Sequence, residues 1–91
     1  MSFVLSQEAI EDLSRIYRYG YFNFGETQAD HYFDGLYDSF ERISQSPLQF
    51  PSAAHVREGY RYSVYLSHTI YFRMIPNIGC EIVRIIGREE F

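Results

Sequence analysis

The sequence predicts an α+β domain: a short N-terminal strand, an antiparallel helical hairpin, and a three-stranded antiparallel meander that the hairpin covers on one face. Three observations predict it. Apolar residues recur at helical spacing through two runs in the first half of the chain. After a loop containing two prolines, the period changes from about 3.6 residues to 2. The break "NFGET" between the helical runs is short, so the two helices fold back on each other.

Residues 2–5, "SFVL", read as the first strand. Ser6 then caps a helix whose first turn carries Glu8, the charge favoured at a helix N-terminus. Ile10, Leu13, Ile16, Tyr17, Tyr21 and Phe24 hold its apolar stripe with Ala9 alongside, and Glu11 with Arg15 makes an i,i+4 pair. Gly20 interrupts the stripe at about 1 kcal/mol relative to Ala, so it marks a bend or a close approach. The second helix starts at Thr27, with Asp30 completing a capping-box-like start. Its stripe is Ala29, Tyr32, Phe33, Leu36, Tyr37, Phe40 and Ile43. Asp30, Asp34 and Asp38 stack on the other side, where like charges cost a few tenths of a kcal/mol per pair. Such a ridge is a solvated face or, alternatively, a docking strip for a basic partner. Ser46-Pro47 stops the helix.

Beyond the loop "SPLQFPSAAHV" both faces of the next run are legible. Tyr60, Tyr62, Val64 and Leu66 share one face, taken as the core side; Arg57, Arg61, Ser63 and Tyr65 share the other. In the following run Ile70, Phe72 and Met74 oppose Thr69, Tyr71 and Arg73. Directly opposed residues lie on the same face, so even-numbered positions are expected to pair with even ones and the loop between these strands to have an odd residue count: three residues near Ser67–Thr69, or a bulge. "PNIG" makes the next turn. "CEIVRIIG" is apolar on both faces, which predicts an interior strand covered on both sides.

Ninety-one residues make one domain, 1–91, with a thin core. One cysteine and three scattered histidines provide no disulfide and no zinc pattern, and suit a reduced cytoplasm. Neither a membrane span nor a signal peptide is expected. All eight basic residues are arginine, and the 17 aromatics comprise nine Tyr and eight Phe without Trp. A thin core does not cover so many rings, so part of them is expected to meet a partner. Residues 1–46 hold eight acids against three arginines, a net −5, and residues 47–91 four acids against five arginines, a net +1. An overall acidic chain is a poor general nucleic-acid binder, since backbone affinity comes from neutralised phosphates, and a local Arg patch is left open. No direct sequence-specific nucleic-acid partner is expected.

Among chemical motifs the chain offers no phosphate loop, HExxH, CxxC or serine-nucleophile pattern. No cofactor is implied. Cys80 reads as a small core residue, and His31, His55 and His68 as isolated surface or structural histidines. Arg57, Arg61 and Arg73, with Tyr65 and Tyr71 beside them, are placed on the non-core side of the hairpin, followed by Arg84 and Arg88. Clustered Arg and Tyr clamp a phosphate or carboxylate, or else form the polar side of a half-exposed sheet. Cleavage of RNA by its 2′-hydroxyl requires a proton acceptor, and this face supplies neither lysine nor an evident histidine.

The order β-αα-βββ, with "LSQEAIEDLSRI", "ADHYFDGLYDSFERISQSP", "REGYRYSVYLSHTIYFRMI" and "EIVRIIGREE", resembles the ParE toxins of the RelE/ParE superfamily across essentially the whole chain. The likeness is nearest to the ParE of three-gene PaaR–PaaA–ParE modules. The resemblance implies a RelE/ParE-like fold and a type II toxin held inactive, as a hetero-oligomer, by a short and partly disordered antitoxin. It implies poisoning of DNA gyrase by binding rather than catalysis, with Arg57, Arg61, Tyr71, Arg73, Arg84 and Arg88 as candidate target contacts. The alternatives are a toxin-fold module acting on another target, or the activity of RelE-type relatives, which cleave mRNA on the ribosome with basic sheet residues and a C-terminal aromatic. Here Arg61 or Arg73 would take the place of a nuclease arginine and Arg88 that of the tail arginine, while Phe91 brings no hydroxyl. The antitoxin is expected on the helical hairpin, against Tyr17, Tyr21, Phe24, Phe33 and Tyr37.

Overall fold

The Ser6 hydroxyl accepts the Ala9 N–H at 3.0 Å and so starts the first helix as the sequence predicts. The computed structural model describes residues 2–87. In order these form β1 (Ser2–Leu5), α1 (Gln7–Phe24), α2 (Glu26–Gln45), a 3-10 turn (Pro47–Gln49), β2 (Tyr60–Tyr65), β3 (His68–Ile75) and β4 (Gly79–Gly87). Gly25, at φ +93°, turns the chain between the helices, and α2 begins one residue before Thr27. α1 runs unbroken through Gly20, which lies against Ala29 of α2 and marks a close approach of the two helices. On α1, Arg15 reaches Asp12 at 2.7 Å, while Gln7 bonds Glu11.

The strands form one mixed sheet in the order β1-β4-β3-β2. β2, β3 and β4 are the expected antiparallel meander, and β1 joins β4 in parallel. Both helices pack on one face, burying Ala9, Leu13 and Ile16 of α1 and Leu36, Phe40 and Ile43 of α2 against Ile70, Phe72, Cys80, Ile82 and Ile85. At roughly 1.5–3 kcal/mol per fully buried large apolar side chain, this cluster is the main stabilising element of the domain.

Two sheet expectations are overturned. The β2–β3 turn holds two residues, Leu66 and Ser67, and the register pairs odd with even positions: Tyr65 with His68, Ser63 with Ile70, Arg61 with Phe72. Leu66 adopts φ +51°, as a two-residue hairpin turn requires. Arg61, Ser63 and Tyr65 therefore face the helices, while Tyr60, Tyr62 and Val64 face outward, Val64 with 62% of its surface exposed. The reason is local to α2. Tyr65 lies edge-on to Tyr32 at 5.1 Å, in the space a Cβ on Gly35 would fill.

β4 is interior in strand order, yet helices cover only one of its faces. Between Tyr71 and Phe72 the register slips: Phe72 opposes Ile82 and Tyr71 opposes Arg84, so Val83 has no opposite residue. The bulge lets Ile82 and Ile85, three positions apart, both be fully buried. Strict alternation does not allow that. Past the end of β1, side chains of α1 take over the β4 edge: Asp12 accepts the Ile85 N–H at 2.9 Å, and Arg15 donates to the Ile85 carbonyl at 3.3 Å.

Candidate functional site

Four of the five hairpin aromatics form a continuous line. Ring centroids step from Tyr21 to Tyr17 at 6.3 Å, to Phe33 at 6.0 Å, and to Tyr37 at 5.1 Å. Beyond Tyr37 the line enters the core at Phe40 and Phe3. Tyr17, Phe33 and Tyr37, with Ile10, Leu13 and Arg18, line an open groove of about 370 Å³ between α1 and α2. The Tyr17 hydroxyl donates to Asp30 at 2.7 Å across the helices. That hydrogen bond to a carboxylate, aided by the charges of Asp30 and Glu26, pushes the Tyr17 phenol up to about 12. The acidic ridge is thus not wholly a solvated face, because Asp30, though exposed, accepts a hydrogen bond from a residue that lines the groove.

Phe24, the fifth aromatic, turns the other way. It meets Tyr19 at 6.4 Å and opens onto a second cleft of about 450 Å³ between the hairpin tip and the β2–β3 turn. Ile16, Tyr32, Leu66 and His68 also line this cleft. His68 opens β3 rather than lying in the turn, and it is buried with Nδ1 hydrogen-bonded to the Tyr32 hydroxyl at 2.6 Å, a structural and not a surface histidine.

The sheet arginines do not gather as the sequence suggested. Arg57 stands exposed in the loop before β2. Arg61 faces the helix side and donates to the Phe50 carbonyl at 2.6 Å, which ties down the loop preceding β2. Arg73 lies on the outer face and pairs with Glu81, its register neighbour, at 2.7 Å; that bond and the Glu81 charge raise the guanidinium above its ordinary value. Arg84 makes two bonds to the Asp12 carboxylate, at 2.8 and 3.0 Å. Arg88 lies outside the described residues.

The outer face carries cross-strand rows instead: Tyr60–Arg73–Glu81, Tyr62–Tyr71–Arg84 and Val64–Thr69–Ile86. It is an aromatic and aliphatic surface with arginine at its edges, the composition of a protein-contact face. The β2 register had to be known before Tyr60 and Tyr62 could be assigned to it. Among the described residues, no group of three His, Cys, Asp or Glu side chains is placed to hold a metal ion. Cys80 is buried, and desolvation pushes its thiol up. No described helix is long and apolar enough to cross a membrane.

Comparison with known proteins settles the family. The model for the ParE toxin of type II toxin–antitoxin systems, parDE, matches residues 3–90. The chain belongs to the ParE toxin family. Toxin ParE1 of Caulobacter vibrioides is 30% identical over 85 residues, spanning 93% of this chain and 86% of that protein. Toxin ParE1 of Mycobacterium tuberculosis is 27% identical over 87 residues, spanning 96% of this chain and 89% of its own length. A chain of the chromosomal ParDE TA system from P. aeruginosa superposes with a TM-score of 0.82 at 20% identity, covering 96% of this chain and 95% of its own. The α+β arrangement of one strand, two helices and three antiparallel strands is therefore the ParE fold of the RelE/ParE superfamily.

Two features of this ParE chain escaped sequence reasoning. Asp12 is buried in a stripe otherwise made of Ala9, Leu13 and Ile16; its helical spacing signals this, but its partners lie on β4. Phe22, 80% exposed at the hairpin tip beside Tyr21, falls outside the apolar stripe and had no periodic signal.

Proposed function

We propose that this ParE-family toxin arrests growth by binding and poisoning DNA gyrase, without catalysing a reaction, and that a cognate antitoxin silences it by folding over the α1–α2 hairpin. The observation that carries the binding reading is the engagement of the sheet arginines. Arg61, Arg73 and Arg84 hold a backbone carbonyl, Glu81 and Asp12, so they serve as scaffold and contact groups. The outer face, with Tyr60, Tyr62, Tyr71 and Arg73, is the surface offered to gyrase. Arg57 and Arg88 are secondary candidates in the loop before β2 and in the tail. Tyr17, Tyr21, Phe33 and Tyr37 are the antitoxin contacts, and Phe24 serves a separate patch at the hairpin tip.

Induced expression without antitoxin tests this. Growth arrest with an induced DNA-damage response is expected, and intact message in a translation extract given the same protein. Ordinary growth would overturn the toxin reading. Cleaved message would favour a RelE-like ribosome-dependent nuclease, for which outward-facing Arg73 is the first residue to substitute. A short reading frame just upstream would supply the antitoxin and, with a regulator gene before it, the three-gene arrangement.

A further inference from the structure

The hairpin groove has a charge pattern that its aromatic lining does not require. On α2, Phe33 and Tyr37 are each followed by an exposed aspartate, Asp34 and Asp38, so the acids stand one helical step outside the rings. Asp30 continues this edge and is fixed by Tyr17. Across the groove, Arg18 of α1 is the cation on the opposite rim. The groove lining is largely apolar, exposed aspartates flank it along α2, and the N-terminal half of the chain, residues 1–46, carries a net −5.

Such an arrangement selects its occupant. Apolar side chains from a partner displace water from Tyr17, Phe33 and Tyr37, and cations on the flank above α2 meet Asp34 and Asp38. The like-charge repulsion along the aspartate ridge is relieved when a basic segment lies on it. An acidic segment would add to it and is disfavoured.

We propose that the α1–α2 groove binds an amphipathic helical segment with an apolar stripe and a basic flank running along Asp30, Asp34 and Asp38. This inference rests on the antitoxin reading above and adds to it the chemistry of the bound segment: the part of the antitoxin that covers the hairpin is basic on one side.

The test uses two synthetic helical peptides with the same Leu/Phe stripe, one with Lys and Arg on the flank and one with Glu, alongside the cognate antitoxin. Binding is measured by titration calorimetry to the intact chain, to the Asp34→Asn/Asp38→Asn variant, and to Phe33→Ser. Both aspartates are exposed, so the double variant keeps the fold. The basic peptide is expected to bind about tenfold more tightly than the acidic one at low salt, with the preference largely lost near 1 M salt and in the aspartate variant. Equal binding of the two peptides overturns the proposal. So does an antitoxin that loses affinity with Phe33→Ser but not with Asp34→Asn/Asp38→Asn, a result that leaves the hairpin as the antitoxin site. An antitoxin indifferent to all three substitutions removes the hairpin reading as well.

Discussion

Asp12 of α1 and Arg84 of β4 form a two-bond ion pair, at 2.8 and 3.0 Å, around a carboxylate with only 3% of its side chain exposed. The same carboxylate accepts from Arg15 at 2.7 Å and from the Ile85 N–H at 2.9 Å. One side chain of the first helix thus completes the hydrogen bonding of the last strand where β1 ends, and holds the strand leading to the tail against the helical layer.

Asp12→Ala is expected to destabilise the fold by about 3–5 kcal/mol, because it leaves Arg15 and Arg84 without their shared buried anion and the Ile85 N–H without an acceptor. Arg84→Ala is expected to cost less, about 1–2 kcal/mol, since Arg84 is 38% exposed and Arg15 still pairs with Asp12. Urea unfolding followed by circular dichroism measures both. Equal, small losses would contradict the role given to Asp12.

Acid should release the same latch. Burial alone would raise the Asp12 carboxyl, but hydrogen bonds from Arg84, Arg15 and Ile85 outweigh it and hold the group below its ordinary 3.8. A carboxyl depressed in the folded state adds stability above its unfolded value, and that stability is lost as pH falls through the folded value. Unfolding free energy should therefore drop below about pH 4, and Asp12→Asn should flatten this part of the acid limb. An identical acid limb in the variant would place the sensitivity elsewhere.

Gly35 should resist substitution for one named reason. A Cβ there would collide with the Tyr65 phenol ring, so Gly35→Ala is expected to cost about 1–3 kcal/mol despite the helix propensity gained. In a Tyr65→Ala background the sign should reverse, with alanine stabilising by up to about 1 kcal/mol. A double-mutant cycle in urea reads the coupling directly. Additive effects would mean that Gly35 does not make room for Tyr65.

The helices and β3 were legible in the sequence because one residue type dominates each face. The Ser6 cap, the α2 stripe from Ala29 to Ile43, and Ile70 with Phe72 all stand where periodicity put them. β2 was not legible, since tyrosines occupy both faces and the choice rests on the space over Gly35, a tertiary relation. That reversal separated Arg61 from Arg73 and so dissolved the expected arginine cluster. The β4 bulge hid the core pairing of Ile82 and Ile85 for a similar reason, as period 2 does not allow a three-residue step. The aromatic line from Tyr21 to Tyr37 was legible as residue types; its split from Phe24 came from how the hairpin tip turns.

Purified gyrase with relaxed plasmid and ATP tests the central claim most directly. Added toxin should block supercoiling and trap cleavage complexes, stoichiometric antitoxin should restore both, and a Tyr71→Ala/Arg73→Ala variant should need about tenfold more protein because it removes an aromatic and an arginine contact. Unaltered supercoiling with no trapped complexes at excess toxin would contradict the account.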